Sequence, residues 1–142
     1  YSEIPCNEIQ PILHFKTKIF SLRNVKKGQT LSYGPTWKAT KDSLIAVLPV
    51  GYADGLKRSY SNKYQFFCND KILPQVGTIC MDYCMLDVTA IKERVQIYDS
   101  VTLFGKNKID LENQANDLNT ITYELLTSIS DRVPRVIVEK FT

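Results

Sequence analysis

Histidine occurs once in 142 residues, at His14, and this scarcity excludes much familiar chemistry. A histidine-assisted nucleophile would have to use His14 itself, and nothing near it in sequence completes a triad. A zinc site of the usual spacing is equally poorly served, because Cys6, Cys68, Cys80 and Cys84 do not fall in a Cys/His pattern with it. If Cys80 and Cys84 share an extended strand, they stand roughly 13 Å apart at ~3.3 Å per residue. A disulfide needs its Cα atoms within about 7 Å. Free, largely buried thiols are the expectation.

Long apolar runs, internal repeats and low-complexity tracts are also missing. No stretch approaches the ~18 apolar residues of a membrane span. The start, Tyr1-Ser2-Glu3-Ile4-Pro5, lacks the basic flank and apolar stretch of a signal peptide, so a cytoplasmic location is expected. The motifs G-x-x-x-x-G-K-S/T, G-x-G-x-x-G and G-x-S-x-G do not occur. The net charge is +3, but its basic residues are dispersed: Lys26-Lys27 and Lys57-Arg58 are pairs, and Lys106 and Lys108 flank Asn107. Nucleic-acid binding calls for a clustered basic footprint. Neither nucleic acid nor membrane is an expected partner.

What is present suits one globular domain. The apolar fraction of 44% and the charged fraction of 23% are ordinary. The first ten residues are polar and proline-marked, like a linker, and the domain is expected over residues 11–142. From Ile12 to Arg23 the pattern approximates a period of two, which predicts a strand. Lys26 to Gln29 predicts a turn, and Thr30 to Tyr33 resumes extended structure. Leu44 to Val50 is an apolar, β-rich run closed by proline and glycine, hence a buried strand. Further short strands are predicted at Tyr64–Cys68, Lys71–Leu73, Val76–Ile79, Met85–Val88, Val95–Tyr98 and Val101–Phe104, with a last one at Val136–Val138. Helical signal comes late, with Asp110 as one cap and Asn119 as a second, between residues 110 and 130. The expected class is mainly β: a compact barrel or sandwich of short strands with one or two short helices.

A tyrosine-rich set stands out beside glycines: Tyr33 in Ser-Tyr-Gly-Pro and Tyr52 in Gly-Tyr-Ala-Asp-Gly, with Tyr123 in Thr-Tyr-Glu. Glycine lets the backbone turn sharply and present a neighbouring ring outward. A phenol in a pocket can offer its hydroxyl to a ligand, whereas most tyrosines of β domains serve core or interface. Residue chemistry alone goes no further than a β domain with a ligand-facing loop set.

The segment Leu31-Ser32-Tyr33-Gly34-Pro35-Thr36-Trp37 resembles the L/V-S-Y-G-x-T-Y/W motif of alanine racemases. Pro49-Val50-Gly51-Tyr52-Ala53-Asp54-Gly55, Val76-Gly77-Thr78-Ile79-Cys80-Met81-Asp82 and Leu86-Asp87-Val88-Thr89 follow. Ile121-Thr122-Tyr123-Glu124 and Arg132-Val133-Pro134-Arg135 complete the series. The blocks keep the family's order across nearly the whole chain.

The resemblance implies the C-terminal β domain of a two-domain, homodimeric enzyme. It would follow an N-terminal (β/α)₈ barrel that binds pyridoxal 5'-phosphate through a lysine, and none of the 13 lysines here lies in such a motif. Residues 1–10 would be the linker from that barrel. The implied activity is interconversion of L- and D-alanine for peptidoglycan synthesis, with the domain inactive alone. Tyr33 matches the tyrosine base that works in the partner subunit's site. By the same resemblance Tyr52 narrows the substrate access, Met81 offers its backbone N–H to the substrate carboxylate, and Asp82 belongs to the same wall. Arg58 matches a corridor arginine, and Tyr123 a tyrosine that meets the cofactor phosphate. Thr78 stands where the family commonly has arginine, and Tyr83 where it often has glutamine. Two alternatives stay open: a racemase of serine or another amino acid, and a stand-alone binding or assembly module without chemistry.

Overall fold

Short half-apolar segments cannot bury their inner faces alone, so they must share a sheet that wraps around one core. The computed structural model describes residues 12–105 and 109–138. The expected linker, Cys6, Lys106 and Lys108 lie outside the described residues. In chain order the strands are β1 (Phe15–Lys18), β2 (Ser21–Val25), β3 (Thr30–Leu31), β4 (Trp37–Lys38) and β5 (Ser43–Leu48). They continue as β6 (Gln65–Cys68), β7 (Lys71–Val76), β8 (Cys84–Asp87) and β9 (Ser100–Phe104), before helices α1 (Leu111–Asp117) and α2 (Thr122–Thr127). Seven strands form one antiparallel sheet in the order β1-β9-β6-β7-β8-β5-β2, and β3 and β4 form a separate ribbon. The mainly β class with two short helices after residue 110 is what the sequence predicts.

The two edges of this sheet are consecutive in sequence, which curls it into a half-barrel. The single strand expected over 12–23 is therefore divided at Ile19-Phe20. There the Ile19 N–H donates to the Asp99 carbonyl (3.0 Å) and the Phe20 N–H to the Val47 carbonyl (2.9 Å). Hydrogen bonding thus passes from the β9 side to the β5 side within two residues, and the backbone must bend to follow it. Phe15 and Ile19 still face inward, as a period of two requires.

Inside the curl, Ile19, Ala46, Leu48, Phe66, Leu73, Leu86, Val101 and Leu103 form one buried cluster with Ala115, Leu118 and Leu125 of the helical region. Each fully buried Phe or Leu of this kind contributes about 1.5–3 kcal/mol. Asp110 caps α1 as expected, accepting from the Asn113 N–H at 2.9 Å. Cys68, Cys80 and Cys84 are free thiols, the first and last buried. Burial pushes the Cys68 thiol up to about 11 and raises Cys84 further.

Other local expectations also fail, for identifiable reasons. Val95–Tyr98 is a turn, because the Asp99 carboxylate accepts from the Gln96 N–H (3.0 Å) and Tyr98 adopts φ 73°. Val136–Val138 forms no strand among the described residues, and Ile137 is 96% exposed. β7 stops at Val76, so Val76–Ile79 is not a strand of its own; Gly77 at φ 77° turns the chain. Asn119 does not cap α2. At φ 55° it closes α1, donating to the Asn116 carbonyl (3.0 Å), and Ile121 precedes α2. Asparagine tolerates the left-handed conformation that ends a helix.

Candidate functional site

Three turns meet at one end of the sheet. The first closes the β3–β4 ribbon, where Leu31 pairs with Trp37. Extended structure was expected through Tyr33, but Ser32 (φ 64°) and Gly34 (φ 73°) are both left-handed. That geometry lifts the Tyr33 ring outward, leaving it 78% exposed. Thr78 holds the turn from behind. Its Oγ1 donates to the Tyr33 carbonyl and its own carbonyl accepts from Ser32 Oγ, both at 2.8 Å.

The second turn follows β5. Gly51 leads into a 3₁₀ turn at Tyr52–Asp54, and the Asp54 carboxylate folds back to accept from the Gly51 N–H at 2.8 Å. The Tyr52 and Ala53 N–H groups donate to the carbonyls of Cys80 and Met81, each at 3.0 Å. A Cβ on Gly51 would stand 2.3 Å from the Cys80 oxygen and 2.4 Å from that of Met81. Only glycine permits so close an approach. The next 3₁₀ turn carries Arg58, whose carbonyl accepts from Ser61 Oγ (2.6 Å); Ser61 Oγ in turn accepts from the Ile79 N–H (3.0 Å).

The third turn joins β7 to β8 and is closed by the Cys80 N–H on the Tyr83 carbonyl at 2.9 Å. The Met81 carbonyl is used by Ala53, while its N–H meets no acceptor among the described residues. Tyr83 packs its ring against Phe20, with centroids 6.1 Å apart.

Arg132 ties two of these turns together. Its Nε donates to Asp54 and its Nη2 to Asp82, both at 2.7 Å. The bonds to Asp54 and then Asp82 raise the Arg132 pKa further above its ordinary value, so the fork stays charged. Both carboxylates thereby share one cation, whereas the Arg58 guanidinium enters no ion pair among the described residues.

The turns enclose an open depression of about 500 Å³ lined by Tyr33, Tyr52, Arg58, Thr78, Ile79, Cys80, Met81, Asp82 and Tyr83. Five of the six residues singled out in the sequence lie on it. Tyr123 does not: it sits on α2, 39% exposed. That helix is nevertheless tied to the second turn, through Ser128 Oγ on the Gly55 carbonyl (3.0 Å) and a Lys57–Glu124 ion pair. The fork of Arg132 was missed, although the residue stood in a recognised motif. Its signal would have been two acidic turn residues awaiting one basic partner. Chemically, the depression offers three phenols and, among the described residues, an unpaired cation and a free backbone donor. That set suits a small anionic ligand and a proton transfer beside it. No cluster of three or more metal-ligating residues occurs among the described residues, and no described helix is long and apolar enough to cross a membrane.

Comparison with known proteins gives a consistent result. The family described as "Alanine racemase, C-terminal domain" matches residues 12–137. An alanine racemase of Clostridium novyi is 42% identical over 135 residues, covering 93% of this chain and 35% of that protein. The solved alanine racemase of Clostridium difficile 630 in complex with cycloserine superposes with a TM-score of 0.82 at 35% identity, over 88% of this chain and 33% of that one. That of Bartonella henselae with covalently bound pyridoxal phosphate gives 0.82 at 33% identity, over 88% and 34%. The chain therefore spans about a third of the length of the relatives it matches.

Proposed function

Since the chain belongs to the alanine racemase C-terminal domain family, we propose that it forms one wall of an alanine racemase site whose other wall is an N-terminal barrel. The active unit would be a homodimer in which the Tyr33 of one subunit faces the barrel of the other. The enzyme would work in the cytoplasm, interconverting L- and D-alanine for peptidoglycan synthesis, and this chain would be inactive without the barrel.

The carrying observation is the exposed Tyr33 phenol on the same depression as Tyr52, Arg58 and the Met81 N–H, which has no acceptor among the described residues. Racemisation requires a proton to leave Cα on one face and another to arrive on the opposite face, so two acid–base groups are needed. Tyr33 would hold and move the proton on its face, and a barrel lysine would do so on the other. Pyridoxal 5'-phosphate, when bound, supplies delocalisation of the charge left on Cα. No lysine among the described residues lines the depression, so these residues fit one side of a cofactor site rather than the whole of it. Tyr123 would reach the phosphate from α2.

The Met81 N–H would hold the substrate carboxylate, a role suited to a backbone donor because it cannot rotate away. Tyr52 would narrow the access and Arg58 would draw the anionic end of the substrate inward. Asp82, already engaged by Arg132, would shape the wall.

Tyr33→Phe in the full-length enzyme tests this reading. It removes one oxygen and keeps the ring, so cofactor binding should persist. Turnover should fall by roughly 10²–10⁴-fold, the usual contribution of an acid–base group. Exchange of the α-proton of L-alanine should suffer more than that of D-alanine. Near-normal turnover in both directions would reduce Tyr33 to a wall residue.

A further inference from the structure

We infer that Thr78 is a positioning residue for Tyr33, its hydroxyl fixing where the phenol stands at the rim of the depression. The inference rests on the reading of Tyr33 as a proton-transfer group.

It begins at a buried amide. Gln75 is 1% exposed. Its Nε2 donates to the Val76 (3.0 Å) and Gly77 (2.8 Å) carbonyls, and its Oε1 accepts from the Asn62 N–H (2.6 Å). The Asn62 side chain is oriented in turn: Oδ1 accepts from the Gly77 N–H (2.7 Å), leaving Nδ2 to donate to Thr36 Oγ1 (3.2 Å). Thr36 Oγ1 lies 3.2 Å from Thr78 Oγ1. Each hydroxyl carries one proton. The Thr78 proton goes to the Tyr33 carbonyl at 2.8 Å, so the Thr36 proton must go to Thr78.

Gln75 thus anchors Asn62 by accepting from its N–H, and from Asn62 Nδ2 onward the bonds have one direction, through Thr36 and Thr78 to the backbone of an exposed tyrosine. Ser32 Oγ closes it by donating to the Thr78 carbonyl. One buried residue thus grips both halves of the Ser32-Tyr33 pair. Little else can, since the Tyr33 ring is largely in solvent and Ser32 is left-handed. Left-handed backbone is unfavourable for a residue with a Cβ and persists only when held.

A double-mutant cycle in the full-length enzyme tests this, with Tyr33→Phe and Thr78→Val as its arms. Thr78→Val should lower kcat about five- to tenfold, the factor one hydrogen bond is worth, with a smaller change in KM. Thr78→Ser should restore the rate, because it keeps the donor. On the Tyr33→Phe background, Thr78→Val should have almost no further effect, since residues acting through one another are not additive. An equally deep loss on both backgrounds, or no rescue by serine, makes Thr78 a structural residue and overturns the inference. A silent Thr78→Val beside a crippled Tyr33→Phe overturns the inference alone, whereas a silent Tyr33→Phe overturns the base reading and the inference together. If Thr78→Val does not fold, Ser32→Ala removes the return bond without adding an atom, and the same non-additivity is expected of it.

Discussion

Gly51→Ala adds one methyl group where there is no room for it. The Gly51 backbone is extended, at φ −151° and ψ −162°, a conformation alanine also adopts, so any penalty is steric rather than conformational. The new carbon would lie 2.3 Å and 2.4 Å from the carbonyl oxygens of Cys80 and Met81, and backbone atoms cannot swing aside as a flexible side chain does. The second turn must move off the third, and the two hydrogen bonds from Tyr52 and Ala53 go with it. Two such bonds are worth about 2 kcal/mol together, and overpacking typically adds about 1–3 kcal/mol. The total is about 3–5 kcal/mol, and at roughly 3 °C per kcal/mol for a domain of this size the melting temperature should fall by about 10–15 °C. Gly28→Ala is the control. Its φ of +90° strains alanine, but nothing lies within 4 Å of the added carbon, so the cost should stay near 1 kcal/mol. Thermal unfolding followed by circular dichroism separates the two. Equal, small shifts for both variants would refute the steric argument.

Of the three thiols among the described residues, labelling of the native protein should reach Cys80 first, since Cys68 and Cys84 are buried. The attacking species is the thiolate, so with its pKa near 11 Cys68 should stay nearly inert at pH 8 and label faster as alkali is added. Peptide mapping after a short pulse checks the order, and early modification of Cys84 would contradict it. Burial also raises the Tyr64 phenol well above its ordinary value. Its contribution to stability is therefore complete below about pH 10 and is lost as pH rises beyond it, because the unfolded phenol ionises first. Phenolate absorbance should show Tyr64 ionising only as the chain unfolds, and Tyr64→Phe should remove that contribution. A fully reversible titration of every tyrosine near pH 10 in the folded protein would exclude this.

Elements governed by local chemistry were legible in the sequence. The alternation around Phe15, the apolar run through Leu44–Leu48 and the Asp110 cap each state their structure within a few residues. The division at Ile19-Phe20 could not be read this way, because it is imposed by strands nearly thirty and eighty residues downstream, through Val47 and Asp99. Val95–Tyr98 misled because its apolar residues imitate a strand; Ile97 and Tyr98 are instead exposed on a turn set by the Asp99 side chain. At the site, motif order singled out Tyr33, Tyr52, Arg58, Met81 and Asp82, whereas residue chemistry alone yielded only a set of outward tyrosines. Neither revealed Arg132 as a partner of Asp54 and Asp82, since its fork spans 78 and 50 residues.

Those long spans bear on when the depression is assembled. A chain synthesised from its N-terminus exposes Asp54 and Asp82 well before Arg132 is available to either. Until then two turns must carry unpaired carboxylates at neighbouring points, a mutual repulsion that holds them apart. Closing loops of such length also carries a greater entropic penalty than forming the hairpins of the sheet. The β sheet can therefore form while the depression is still open, and the depression takes its final shape only when Arg132 arrives. A molecule ending before Arg132 would keep most of its core and lack the clamp across its most chemically distinctive surface.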